Sequence, residues 1–265
     1  MTRTDVVQAT TGRYLAAIDD ALPGFVEMLF VTGSAALGAF EPGASDIDTM
    51  IVTARPPGPA DLAAMAEVHA AMPRRPHFDG VYLDRDTFRR QPADQRPTPF
   101  VVNGEFRADQ PCGELHPVLW LLLSRYGRTV RGPAVADLGL TVDATALRRY
   151  NLDNLKTYWA HLAAEGRRTL ATMPAEAAVD AEPVAWAVLG PARLHFTLAH
   201  EDIVSKAGAG EYLADHFPRY ACLADRAVRS RRGEQVAFTV ADGRAGADSI
   251  DAVIEDAWRR WGHLC

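Results

Sequence analysis

Two aspartates, at positions 46 and 48, have the type and spacing of a cation site. They alternate in the segment Ser45-Asp46-Ile47-Asp48, at the entry to a predicted strand over 48–53. Because strand side chains alternate between faces, both carboxylates are expected on one face and Ile47 on the core-facing side. Neighbouring carboxylates repel each other without a cation, and Mg²⁺ binds carboxylate oxygens, waters and substrate phosphates. The pair therefore predicts a divalent-metal site.

A glycine and a serine precede this pair, where a predicted strand over 25–32 leads into a short helical segment. Backbone N–H groups at a helix N-terminus carry partial positive charge and bind phosphate. Gly33 lets the backbone approach a phosphate closely, and the Ser34 hydroxyl adds a donor. Next to the paired acids, Gly33-Ser34 predicts that the metal site holds a nucleotide.

A third acid, Asp79, interrupts the next predicted strand, His77-Phe78-Asp79-Gly80-Val81-Tyr82-Leu83. If this strand lies beside the first two acids, the three carboxylates meet. Asp79 would then either take a proton from an attacking hydroxyl or complete a metal site. Plainer alternatives remain for these acids: a helix cap or solvated turn for the pair, and a water-facing edge position for Asp79.

This pattern resembles the DNA-polymerase-β-type nucleotidyltransferase superfamily: Gly33-Ser34, eleven residues, Asp46-x-Asp48, and then a strand acid. Within it, the chain is most similar to the aminoglycoside 3″-adenylyltransferases, which modify streptomycin and spectinomycin. Further residues match that family. Arg193 and Lys206 stand thirteen residues apart, Tyr212 follows an acidic residue, and Val130-Arg131-Gly132-Pro133 closes the first domain. The resemblance spans roughly residues 28–235.

The resemblance implies ATP as co-substrate, two Mg²⁺ ions, in-line attack of a drug hydroxyl on the α-phosphate, and release of pyrophosphate. It implies that Asp46, Asp48 and Asp79 hold metal and that Asp79 is also the acceptor-activating base. The nucleotide-binding residues that it implies are Gly33, Ser34, Ser45, Arg193, Lys206 and Tyr212. For Arg193 a structural salt bridge, and for Lys206 an ordinary solvated position, remain alternatives.

The acceptor side departs from the family. The family's catalytic acid is a glutamate, so Asp79 is one methylene shorter, and the spacer before Asp46 is one residue longer. The family stacks its drug on tryptophans, whereas this chain has Phe106 at one such position and no tryptophan at the other. Asp180 and Glu182 lie near the place where family carboxylates meet drug amines. Phe106, Asp180 and Glu182 are therefore the acceptor-binding candidates.

Three functions are compatible with these residues. The favoured one is transfer of AMP from ATP to a hydroxyl of a small polar acceptor, an aminoglycoside or aminocyclitol antibiotic. A second keeps the chemistry and places the nucleotide on a protein, an RNA end or a biosynthetic sugar. A third is a catalytically silent member of the fold that binds nucleotide or a partner protein.

The predicted elements place these residues in an α+β fold. We expect domains over 1–140 and 141–265: a polymerase-β-like nucleotidyltransferase domain with a mixed sheet and helices, then a C-terminal helical bundle. The N-terminal elements are helices over 4–22, 59–72 and 114–126 and strands over 25–32, 48–53, 77–83 and, within a loop, 100–106. The C-terminal helices are 143–164, 183–200, 210–231 and 249–262, and Gly208-Ala209-Gly210 predicts a turn.

Composition and charge argue against several classes of protein and of binding partner. The 265 residues carry a net charge of −6 without an obvious basic face, which argues against nucleic acid as a partner. Neither a membrane-spanning apolar run nor a signal peptide is evident. The three cysteines stand far apart, which argues against a disulfide scaffold and a cysteine-bound zinc. We expect a soluble cytoplasmic protein, a monomer or weak homodimer, whose partners are ATP and a small cationic hydroxyl-bearing acceptor.

Overall fold

A computed structural model describes residues 2–94 and 96–264 and divides the chain into two compact units, Met1–Val142 and Asp143–Cys265. The first unit contains a mixed sheet flanked by helices, and the second is almost entirely helical. This confirms the predicted α+β class.

The N-terminal unit is built on a six-stranded sheet with the order β5-β4-β3-β2-β1-β6. Its strands are β1 (Val26–Val31), β2 (Ile47–Thr53), β3 (Phe78–Asp84), β4 (Phe100–Val102), β5 (Glu105–Arg107) and β6 (Arg128–Arg131). Its helices are α1 (Arg3–Ala21), α2 (Gly33–Ala36), α3 (Pro59–Ala70), α4 (Arg85–Arg90) and α5 (Pro117–Tyr126), with a 3₁₀ turn at Val135–Leu138. The pair β2–β3 is parallel, and the other neighbouring strands are antiparallel.

The parallel pair β2–β3 sets the positions of the predicted acids. Ile47 pairs with Phe78, and Asp48 pairs with Asp79. Ile47 and Phe78 belong to the buried cluster that also contains residues of α1 and α3, as period-two alternation requires. Asp48 and Asp79 therefore share the opposite face, at the beginning of both strands.

A tight hairpin joins β4 to β5. Val102 pairs with Glu105, so the loop is Asn103-Gly104, and both loop residues have positive φ, 53° and 75°. Asn-Gly is the residue pair that such two-residue loops favour, because asparagine and glycine tolerate the left-handed region. The prediction of one strand over 100–106 is therefore wrong: two short strands and a reversal occupy this segment.

The C-terminal unit contains six α-helices among its described residues. They are α6 (Ala144–Asn154), α7 (Ala160–Leu170), α8 (Ala181–His200), α9 (Lys206–His216), α10 (Ala221–Arg231) and α11 (Val240–Trp261). A π-helical turn, Leu155–Trp159, joins α6 to α7, and 3₁₀ turns lie at Pro218–Tyr220 and Gly262–Leu264. A two-residue ribbon pairs β7 (Ala178–Val179) with β8 (Phe238–Thr239).

Two C-terminal predictions are wrong. The helix expected over 210–231 is two helices, because Pro218 follows α9 and cannot continue its hydrogen bonding. The turn expected at Gly208-Ala209-Gly210 lies inside α9. A Cβ at position 210 would be 2.4 Å from Cγ2 of Val228, so Gly210 permits close packing of α9 against α10. None of the described helices has the length and apolar character that crossing a membrane requires.

Candidate active site

The first site feature is the contact between Gly33 and Asp48. Gly33 follows β1, has φ +56° and begins α2. A Cβ there would be 1.7 Å from Oδ2 of Asp48, so the carboxylate occupies the space that any side chain at position 33 would need. The Thr32 N–H donates to the Asp48 carbonyl oxygen at 2.8 Å and holds the end of β1 against β2. Ser34, the next residue of α2, is half-buried.

Asp79 is held by the β4–β5 hairpin. Its side chain is buried, and its two oxygens accept hydrogen bonds from the backbone N–H groups of Asn103, at 2.8 Å, and Gly104, at 2.9 Å. Burial raises the pKa of Asp79 above its ordinary value, and the negative charge of Asp46 raises it further. The two hairpin N–H groups oppose this rise because they stabilise the carboxylate.

Asp46 and Asp79 meet at the beginning of β2 and β3, together with His77. One ligand atom of each of these three residues lies within 4.8 Å of the others. Asp46 accepts a hydrogen bond from Arg75 at 3.2 Å, and its Oδ1 lies 3.6 Å from Nδ1 of His77. Sequence reasoning missed His77, although its position two residues before Asp79 on the same strand segment places both side chains on one face.

The donor set fits a divalent cation. Ligand atoms of Asp46 and Asp79 lie within 4.8 Å of each other, and the negative charge of Asp46 raises the pKa of Asp79, as expected for neighbouring carboxylates. Asp48, the register partner of Asp79, adds a third carboxylate at the same end of the strands. The Oγ of Ser45 accepts the Glu41 N–H at 3.0 Å and closes the turn before Asp46, and the predicted role of Ser45 in nucleotide binding stays a prediction.

Phe106, an acceptor candidate, lies on β5 and is half-buried. Its ring stacks on His69, with centroids 5.8 Å apart, and meets Tyr82 edge-on at 6.4 Å. One side of this ring therefore belongs to the aromatic packing of the N-terminal unit.

The predicted phosphate-binding cations lie in the C-terminal unit. Lys206 is the first residue of α9, and its Nζ lies 5.5 Å from the ring centroid of Trp186 on α8. Arg193 is half-buried and follows Trp186 on α8 by seven residues, about two helical turns. Trp186 is exposed, although its apolar helical position predicts a core residue. Asp180, the N-cap of α8, and Glu182 in its first turn are both exposed.

Tyr212 lies inside the C-terminal unit. Its hydroxyl is 2.7 Å from Nδ1 of His195, whose Nε2 is 2.9 Å from Asp256. Burial raises the pKa of Tyr212 to about 12, and its ring stacks on His216 at 4.0 Å. The hydroxyl is thus engaged in a buried hydrogen-bond chain, and the role of Tyr212 in nucleotide binding stays a prediction.

Known proteins resemble this chain in sequence over part of its N-terminal unit and in fold over most of its length. Residues 13–78 match a family model described as a nucleotidyltransferase domain, a span that includes Gly33, Ser34, Asp46 and Asp48 and ends just before Asp79. A comparison with curated proteins finds no match. Among solved structures, the chain is similar to the spectinomycin adenyltransferase AAD(9) from Enterococcus faecialis, whose crystal structure contains ATP and spectinomycin.

The match to that structure has a TM-score of 0.68 at 12% sequence identity and covers 93% of this chain and 98% of the other. At this identity the likeness establishes a shared fold. The family match shows that the chain carries a nucleotidyltransferase domain and is therefore a transferase enzyme.

Proposed function

We propose that the protein is a Mg²⁺-dependent adenylyltransferase that moves AMP from ATP to a hydroxyl of an aminoglycoside or aminocyclitol. The observation that carries the proposal is the convergence of Asp46 and Asp79 next to Asp48, which is itself packed on Gly33. Asp79 is buried and Asp46 and Asp48 are half-buried. Carboxylates this close together repel each other at a cost in stability, and a nucleotide-bound cation would account for their position.

Asp46, Asp48 and Asp79 would hold the metal, which when bound neutralises phosphate charge and supports an in-line displacement. Asp79 would accept the proton of the acceptor hydroxyl. Its raised pKa makes it a stronger base than an exposed aspartate, and the hairpin N–H groups fix its orientation. Each Asp79 oxygen accepts one of these hydrogen bonds and keeps a further lone pair for a proton or a cation.

Each unit, taken by itself, carries groups that suit a nucleotide. Gly33 and Ser34 offer backbone N–H groups and a hydroxyl to phosphate oxygens, and Arg193 and Lys206 supply positive charge. Cations on the departing pyrophosphate stabilise charge that grows as the bond to the α-phosphate breaks. The Lys206 ammonium, held over Trp186, is positioned within its own unit before ATP binds.

The acceptor is proposed to be cationic. The chain carries a net charge of −6, and Asp180 and Glu182 present exposed carboxylates at the start of α8. These groups attract protonated amines, which aminoglycosides and aminocyclitols carry. The half-buried ring of Phe106 would offer an apolar contact to the acceptor.

The test combines purified protein, labelled ATP and Mg²⁺ with a panel containing streptomycin, spectinomycin and other aminoglycosides. We expect pyrophosphate release and a drug mass increase of about 329 Da, the mass of an added adenylyl group. Neutral sugars without amines serve as matched acceptors, and Asp46→Asn serves as the inactive control.

Two other outcomes of this test would contradict the proposal and indicate a different function. Labelling of the protein itself, or of proteins or RNA in an extract, with none on the drugs would assign the same chemistry to another acceptor. ATP binding without turnover on any acceptor would indicate a catalytically silent nucleotide-binding protein.

A further inference from the structure

We propose that His77 is a direct metal ligand, so that the cation site formed with Asp46 and Asp79 contains nitrogen as well as oxygen. The inference rests on the metal site of the proposed function and adds a nitrogen ligand to it. The imidazole would strengthen the binding of Mn²⁺ and, still more, of Co²⁺. Binding of Mg²⁺, the ion of the proposed reaction, would depend mainly on the carboxylates.

The position of the His77 ring is the first support. The Nδ1 atom is buried and has no hydrogen-bond partner among the described residues, a costly state for a ring nitrogen. That atom lies 3.6 Å from Oδ1 of Asp46, beyond normal hydrogen-bond length, and a ligand atom of Asp79 lies within 4.8 Å of both residues. An ion between the three side chains would satisfy the orphaned nitrogen and both carboxylates together.

The surroundings of the ring hold it in this orientation. The His77 carbonyl accepts the Ile47 N–H at 2.9 Å, which ties its backbone to the beginning of β2. On the other side, the hairpin glycine, Gly104, packs on the ring: a Cβ there would be 3.6 Å from Cδ2. The same hairpin donates two hydrogen bonds to Asp79. One turn therefore positions two of the three ligands.

Ligand chemistry then decides the metal. Mg²⁺ takes oxygen ligands and keeps several waters, so an imidazole adds little to its binding. Affinity for nitrogen-containing sites rises from Mn²⁺ to Co²⁺ along the first transition series, and imidazole is a good ligand for these ions. Removing His77 should therefore weaken Co²⁺ and Mn²⁺ binding and leave Mg²⁺ binding nearly unchanged.

The experiment measures metal binding to the full chain without ATP or acceptor. Isothermal titration of Co²⁺, Mn²⁺ and Mg²⁺ is compared for the wild-type protein, His77→Ala, His77→Asn and a surface control, His263→Ala. Loss of a supporting group around a metal costs about ten- to a hundredfold in affinity, so loss of a direct ligand should weaken Co²⁺ at least about tenfold. We expect Mg²⁺ affinity to change by less than about threefold. The visible absorption of bound Co²⁺ should also change in both His77 variants.

Equal Co²⁺ affinity and an unchanged Co²⁺ spectrum in a folded His77→Ala or His77→Asn would overturn the proposal. Circular dichroism and a thermal melt establish folding, and the asparagine variant keeps a polar group if alanine proves too disruptive. The result is separable from the function test. If the wild-type protein transfers no adenylyl group but the His77 variants lose Co²⁺ affinity tenfold, the proposed function is wrong and the ligand assignment holds. If the wild-type protein transfers adenylyl groups but the His77 variants bind Co²⁺ as it does, the ligand assignment is wrong and the proposed function holds.

Discussion

The backbone of Gly33 lies against the carboxylate of Asp48, with no room for a side chain between them: a Cβ would be 1.7 Å from Oδ2. The Gly33 backbone also has φ +56°, a region that other residues adopt at a cost. Two separate penalties thus apply to any substitution at position 33, and one of them falls on a candidate metal ligand.

We expect Gly33→Ala to abolish nucleotide transfer because the new methyl group displaces Asp48. Gly38→Ala is the matched control, since Gly38 has φ +71° but no atom within 4 Å of the added Cβ. The control should lose about 1 kcal/mol of unfolding free energy from backbone strain, and Gly33→Ala a further 1–3 kcal/mol or so from overpacking. Denaturant titrations and turnover assays measure both. Equal stability and activity in the two variants would show that Asp48 is not held as described.

Neutralising the acids should stop turnover without unfolding the protein. We expect Asp46→Asn and Asp48→Asn each to lower turnover at least about a hundredfold, because each removes charge that holds the metal and nucleotide. The metal-free melting temperature of Asp46→Asn should not fall, since this change relieves repulsion with Asp79. Asp20→Asn, at an exposed acid of α1, is the control. Full activity in either of these two variants would show that the substituted acid is not a metal ligand.

Asp79→Asn separates the two roles proposed for that residue. If Asp79 is mainly a base, turnover falls while metal-dependent ATP binding persists, because the other carboxylates still hold the ion. ATP binding followed by fluorescence or calorimetry gives the comparison. Loss of metal-dependent ATP binding together with turnover would instead make Asp79 an essential ligand.

The two lysines of the chain form a natural matched pair. Both lie over a tryptophan ring: Lys206 over Trp186 at 5.5 Å and Lys156 over Trp258 at 4.7 Å. We propose a phosphate contact for Lys206 alone, so Lys206→Ala should raise the KM for ATP at least about tenfold, the worth of one charged hydrogen bond. Lys156→Ala should leave that KM unchanged. A similar effect in both variants would point to lost aromatic packing in place of phosphate binding.

His69 predicts a specific acid sensitivity. Burial lowers its pKa to about 4 from an ordinary value of 6.5, so the folded protein binds its proton less readily than the unfolded chain. Its contribution to stability is complete above pH 6.5 and is lost as the pH falls toward 4, by up to about 3 kcal/mol. The denaturation free energy of His69→Gln should therefore depend less on pH across this window, and His263→Gln should follow wild type. Parallel profiles for all three would contradict the shift.

Much of the N-terminal unit could be predicted from the sequence because its strands are short apolar runs with clear ends. The segment around Asp46 and Asp48 follows this pattern, and its expected neighbour, the strand of Asp79, does pair with it. The hairpin was missed although its signal, Asn103-Gly104, stands in the sequence. A loop rich in proline and polar residues obscured two strands of three residues each.

Other features depend on tertiary contacts that local patterns do not encode. The segment Gly208-Ala209-Gly210 has the composition of a turn, but it lies inside α9. The lack of a side chain at Gly210 lets α9 pack closely against Val228. The apolar helical position of Trp186 predicts a buried side chain. Its ring is exposed instead, and the Lys206 ammonium lies over it. His77 is a candidate ligand because it lies near Asp46, which precedes a different strand. The pattern within the strand of Asp79 does not predict this contact.

The Asn103-Gly104 loop has a consequence for anyone who redesigns this enzyme. Its two backbone N–H groups donate hydrogen bonds to Asp79, and Gly104 packs on the His77 ring, so the β4–β5 hairpin and the Asp79 carboxylate form one structural unit. If the acids were transferred to a different scaffold without this hairpin, the carboxylate of Asp79 would lose two hydrogen-bond donors. Adding one residue to the loop of this protein would have the same effect, because it would move the two N–H groups.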